Sequence, residues 1–132
     1  MLNDHDVEEI VRASLDPASG LVISTSVEED GYLSLTIHTS ASTTRPDRAH
    51  ARILTSGIEM FLLVLDDQFE YRDFDWETEG QRQILALMAK LAEAYLAGGG
   101  REGLKGGIFG RRHSQLTLEL AGQTYVFSGR RV

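Results

Sequence analysis

Between positions 66 and 79 the chain carries Asp66, Asp67, Glu70, Asp73, Asp75, Glu77 and Glu79, with Arg72 as the internal counter-charge. Carboxylates at this density can hold a hard cation, keep a sheet edge from pairing, or dock a basic protein. Read as a strand over 69–77, the segment points Asp73, Asp75 and Glu77 to one side. Same-side neighbours on a strand lie ~7 Å apart, too far to share a cation unaided. An EF-hand loop opening at Asp73 would need glycine at its sixth position and glutamate at its twelfth. Thr78 and Ile84 stand there instead. Metal binding is therefore disfavoured, and negative potential becomes the operative feature. Phe69, Tyr71, Phe74 and Trp76 interleave with the acids, and aromatic side chains are the usual anchors of protein interfaces. The candidate partner-binding set is Asp66, Asp67, Glu70, Asp73, Asp75, Trp76 and Glu77.

A second candidate lies in the glycine-rich segment 98–110, which holds seven glycines with Arg101 and Lys105 and is followed by Arg111 and Arg112. Backbone amides of such loops can cradle an anion. However, a phosphate-binding loop leads from a strand into a helix and ends Gly-Lys-Ser/Thr. This segment leaves a helix and heads for a strand, so neither that motif nor a dinucleotide fingerprint fits. Its main reading is a helix stop and surface loop, with an anionic ligand near Arg101, Lys105, Arg111 or Arg112 as the alternative.

Nothing else carries chemistry. His5, His38, His50 and His113 show no ligand spacing, and the chain has no cysteine, which removes thiolate zinc sites, thiol nucleophiles and disulfides together. His50 and His113 could do acid–base work beside Arg111 or Arg112 if folding brought them together. The Ser/Thr cluster from Thr36 to Thr44 lacks a nucleophile-elbow motif and suits strand ends and turns. No cofactor and no metal site is predicted, and an enzyme is the less favoured class.

The elements that must position these residues follow from periodicity. A one-sided helix is predicted from Asp4 to Leu15, capped by Asn3 or Asp4 and ended by Asp16-Pro17. Alternating residues from Leu21 to Val27 and Leu33 to Ile37 predict a hairpin. Over 45–56 the spacing favours a helix behind a Thr44-Arg45-Pro46-Asp47 capping box, with a strand through His50 to Leu54 as the rival. Ile58 to Leu65 reads as a central strand buried on both faces, and Phe69 to Trp76 as its partner. Thr78-Glu79-Gly80-Gln81 has capping-box spacing, and Ile84, Leu87, Met88, Leu91 and Tyr95 set the stripe of a long helix ending at Gly98. Alanines on its second side invite close packing by the N-terminal helix or by a second copy. Leu116 to Leu120 and Thr124 to Phe127 close with a final hairpin.

The predicted fold is thus α+β: an antiparallel sheet of about five to seven strands packed against an N-terminal helix and a long C-terminal-half helix, forming one domain over 1–132. With 132 residues, 42% hydrophobic and 25% charged, the chain has an ordinary globular composition. An acidic N-terminus without an apolar run behind it, and no segment of membrane-spanning length, predict a soluble cytoplasmic protein. Net charge is −7, unevenly spread: residues 1–100 hold 18 acids against 7 bases, residues 101–132 hold 2 against 6. A polyanion would be repelled over most of that surface, so nucleic acid is an improbable partner. The sequence reads as a non-catalytic domain binding a basic protein, of inhibitor/immunity or adaptor/chaperone type, with a homodimer the further association considered. The alternative is a small enzyme or ligand-binding domain using the 98–112 segment.

Overall fold

The computed structural model describes residues 2–28, 31–39, 48–55, 60–106 and 112–129. The elements run α1 (Asp4–Ser14), β1 (Leu21–Val27), β2 (Leu33–Thr39), β3 (His50–Thr55), β4 (Met60–Leu65), β5 (Phe69–Phe74), α2 (Thr78–Leu96), β6 (Arg101–Gly106), β7 (Arg112–Leu120) and β8 (Gln123–Gly129). All pairings are antiparallel. The strands form one eight-stranded sheet in the order β1-β2-β3-β4-β5-β8-β7-β6. The first five strands are a meander. α2 then carries the chain away from β5, and the last three strands return so that β8 closes against β5.

Register builds one shared apolar face, which the helices cover along the middle of the sheet. Ile23, Ile37, Ala51 and Leu65 line up across β1 to β4, as do Leu35, Ile53, Leu63 and Tyr71 across β2 to β5. Leu116, Leu118 and Phe127 continue the face, and Ile84, Leu85, Met88, Leu91 and Tyr95 of α2 fill it from above. α1 packs Val7 and Val11 into the same core and lies on α2, and the Asp16 amide donates to the Glu93 carboxylate at 2.6 Å. The N-terminal helix, one of the two neighbours expected for α2, thus packs on it.

Local chemistry accounts for the boundaries. Asn3 and Asp6 form a reciprocal capping box at α1. The predicted box at α2 does not form: Glu77 is the N-cap, without a side-chain bond. Asp75 closes that end instead. Its carboxylate accepts from the Glu77 amide at 2.8 Å, and its carbonyl accepts from Gln81 Nε2 at 2.9 Å. Gly80 is required beneath it, since a Cβ there would overlap the Asp75 carboxylate.

Two further readings change. Of the two readings of 45–56 the strand is the one found: β3 runs from His50 onward, because Ala51, Ile53 and Thr55 fill the core face between β2 and β4; positions 40–47 and 56–59 lie outside the described residues. The glycine-rich segment is not a loop throughout, as Arg101–Gly106 pairs along β7 as an edge strand. These two strands raise the sheet to eight. Among the described residues no helix is long and apolar enough to cross a membrane.

At the β7–β8 turn Ala121 and Gly122 both have left-handed backbone, φ 51° and 80°. Two such residues in succession make the hairpin turn that favours Asn-Gly. Ala121→Asn should raise stability by about 0.5 kcal/mol, readable as a small rise in denaturation midpoint; a fall would contradict this account.

Candidate functional site

The acidic stretch does not converge on one face. β5 ends at Phe74, so strand alternation stops before Asp75, and the carboxylates divide between the two ends of the strand.

At the turn end, Asp66 is built into the fold. Its Oδ1 accepts from the amides of Ala49 and His50, each at 2.9 Å, and its Oδ2 accepts from the Tyr95 hydroxyl at 2.5 Å. His50 stands between the two turn acids, Nδ1 at 3.5 Å from Asp66 and Nε2 at 3.6 Å from Asp67. Arg52 donates to Asp67 at 2.9 Å. Above them, buried Arg48 lays its guanidinium over the Tyr95 ring, 4.4 Å from the centroid, and donates to the carbonyls of Tyr95 and Gly99 at 2.8 and 2.6 Å. A cation thus closes the carbonyl end of α2, where the macrodipole favours it. Asp66 and Asp67 both sit in left-handed backbone, φ 51° and 57°, a conformation that aspartate tolerates better than most residues.

Burial pushes the Tyr95 hydroxyl well above the ordinary tyrosine range, and its bond to Asp66 and the charges of Asp66 and Glu102 push the same way, against Arg48. The fold therefore favours the neutral phenol. Its contribution is complete below about pH 10, where an unfolded tyrosine ionises, and fades as pH rises above that value. Tyr95→Phe should flatten the fall in stability above about pH 10 in alkaline unfolding curves; an unchanged slope would contradict the assignment.

At the other end of β5 the chain offers a different surface. Register continues Met60 beside Phe74 and Leu62 beside Arg72 on the sheet face opposite the helices. Tyr32, Leu54, Met60, Leu62 and Arg72 line a recess of about 450 Å³ there. Phe74, the register partner of the lining residue Met60, and Trp76 are 58% and 75% exposed, with rings edge to face at 6.3 Å. β4 is central, as its apolar run implies, but it is not covered on both faces. Met60 is exposed and Leu62 half-buried, whereas Val64 is buried between its register neighbours Arg52 and Glu70.

The remaining acids are distributed around these features. Glu70 pairs with Arg72 at 3.2 Å. Asp73 lies on the helix-side register opposite Phe61, its carboxylate accepting from the Phe74 amide at 2.8 Å. Asp75 bonds the amide of Glu77 just before α2, and Glu77 and Glu79 are exposed at the start of that helix. Of the partner-binding candidates, Trp76, Glu77, Asp73 and Asp75 thus lie at the recess end of β5 or just beyond it. Asp66 and Asp67 lie at the other end in the structural network.

The second candidate set lies on the β6–β7 edge of the sheet, and Arg101 is its member with a described side chain. Arg101 lines a polar hollow of about 350 Å³ with Glu102, Gly103, Gln115 and Thr117, so a carboxylate shares the site an anion would occupy. Lys105 pairs with His113 and Arg112 with Gly106 in backbone register, and Arg111 lies outside the described residues. His50 and His113 sit on strands four positions apart in the sheet, ~19 Å, so they form no acid–base pair. No group of three or more histidines and carboxylates suited to a metal occurs among the described residues.

Sequence reasoning missed Tyr32, Leu54, Met60 and Leu62 as surface residues, and Arg48 and Tyr95 as a helix-closing pair. The signal for the first group was present: Met60, Leu62 and Val64 are apolar on the strand face that the helices do not need. No known family model, curated protein or solved structure matches this chain significantly.

Proposed function

We propose that this chain is a non-catalytic, cytoplasmic protein-binding domain, of inhibitor/immunity or adaptor/chaperone type, that takes a basic partner at the open end of β4 and β5. The observation that carries the reading is the exposed Phe74–Trp76 pair beside an apolar recess. Large aromatic and methionine side chains left in water next to a concavity are costly for solubility, and they have the composition of an interface centre. Glu77 and Glu79 beside Trp76 add negative potential where a lysine- or arginine-bearing segment would arrive. A partner inserting an apolar side chain into the recess while its bases meet these acids satisfies both features.

Trp76 is the chain's single tryptophan, so its emission reports on this surface alone. Titration with an amphipathic lysine/leucine peptide should shift that emission to the blue, with affinity falling as salt rises. An emission spectrum unmoved by saturating peptide would count against the proposed surface.

A further inference from the structure

The two edges of the sheet differ in chemistry. β6 carries Arg101, Glu102 and Lys105 within six residues, the charge pattern by which natural edge strands resist pairing. β1 reads Leu-Val-Ile-Ser-Thr-Ser-Val: seven residues with no charge, no proline and no glycine. Val22 and every residue from Ser24 to Val27 are exposed, and Val27 on the helix-side register is 64% exposed. On its inner side β1 pairs with β2 over its whole length; no outer backbone partner is found among the described residues. An uncharged, extended, uncovered edge of this kind is a template for another strand.

We propose that this edge receives β1 of a second copy, antiparallel about a two-fold axis through Ser24. The sequence is self-complementary in that register. Leu21 falls beside Val27 of the second copy, Ile23 beside Thr25, and Val22 beside Ser26, so each face keeps its own residues and both helix layers stay on one side. Leu21 and Ile23 of the second copy then cover the exposed Val27 from the facing and the diagonal position. Glu28 lies beside Gly20 of the second copy, so no carboxylate opposes another along the seam. α1 meets β1 on the helix face through side chains, where Glu8 accepts from Arg12 at 3.0 Å and from the Thr25 hydroxyl, and no bond from α1 to the β1 backbone is found among the described residues. The pairing leaves the recess beside Phe74 and Trp76 free, since β1 and β5 lie at opposite sides of the meander.

Sedimentation equilibrium of the full chain from micromolar to several hundred micromolar tests this. The wild type is expected to show reversible dimerisation. Ser24 is exposed at the proposed axis, so Ser24→Lys and Ser24→Glu each place like charges face to face across the seam. Each alone should weaken dimerisation at least tenfold while circular dichroism stays unchanged. Mixing the two in equal amounts should restore it as a Lys–Glu heterodimer. A wild type that remains monomeric throughout overturns the proposal, as do variants that dimerise like the wild type or a mixture that fails to recover.

Discussion

Trp76→Ala should weaken binding of a basic amphipathic peptide by about 30-fold, measured by calorimetry, while the melting temperature changes little. The size follows from the position. An indole 75% exposed in the free protein contributes little to folding, yet at the centre of an interface such a ring is commonly worth 2 kcal/mol or more. Phe74→Ala, followed through Trp76 emission, should lose less, about tenfold, because that ring is partly shielded by its partner. The charged rim should act on a different quantity. Glu77→Lys with Glu79→Lys should slow association and reduce the salt dependence, with a smaller effect on dissociation. Asp75 is unsuitable for this purpose, since its carboxylate closes the N-terminus of α2 and a change there would confound binding with stability. Equal peptide affinity for wild type and Trp76→Ala would remove the surface from consideration.

Asp66→Ala should destabilise the fold by about 3 kcal/mol, a fall of roughly 10 °C in melting temperature. The carboxylate is the shared acceptor for two backbone amides and the Tyr95 hydroxyl, and the residue has left-handed backbone. Alanine removes the acceptor shared by these three donors and fits that backbone poorly. Asp66→Asn keeps one carbonyl oxygen and a side chain that tolerates the conformation, so its cost should be about half. Thermal or urea unfolding of the two variants separates the roles; equal melting points for Asp66→Ala and wild type would show that the network is ornamental.

These two results would divide what sequence reading took as one acidic feature. The architecture was legible where periodicity is long and one-sided. α1, the β1–β2 hairpin, α2 and the closing hairpin carry alternation or a helical stripe, β4 is marked by its apolar run, and the α+β antiparallel arrangement follows from them. β3 was misread because Thr44-Arg45-Pro46-Asp47 mimics a helix start, while the evidence for a strand, Ala51, Ile53 and Thr55 on one face, is only three residues long. β6 was hidden by its glycines, which are poor strand formers; its pairing with β7 settles the matter. The site was less legible than the fold for a geometric reason. Asp66 and Asp75 are nine positions apart, yet they flank β5 at opposite ends of that strand, and charge counted along a sequence does not register that separation. What holds Asp66 inward is the far end of α2, where Tyr95 lies, together with the amides of Ala49 and His50.

The junction between β5 and β8 has a consequence for how the chain comes together. β5 meets β8 through two register pairs, Phe69 with Gly129 and Glu70 with Ser128, far fewer than any other neighbouring pair of strands. Beyond them the contact is made by rings, Tyr71 against Phe127 at 5.5 Å and Tyr125 at 6.1 Å, and by α2 lying across both sides. The meander can form from short-range hairpins, whereas this closure unites positions separated by nearly half the chain and must wait for the long helix to dock. Nascent chains would therefore pass through a stage with five strands assembled and the last three still searching, and the rate of that final step sets how long the unfinished border of β5 lies open to misassembly.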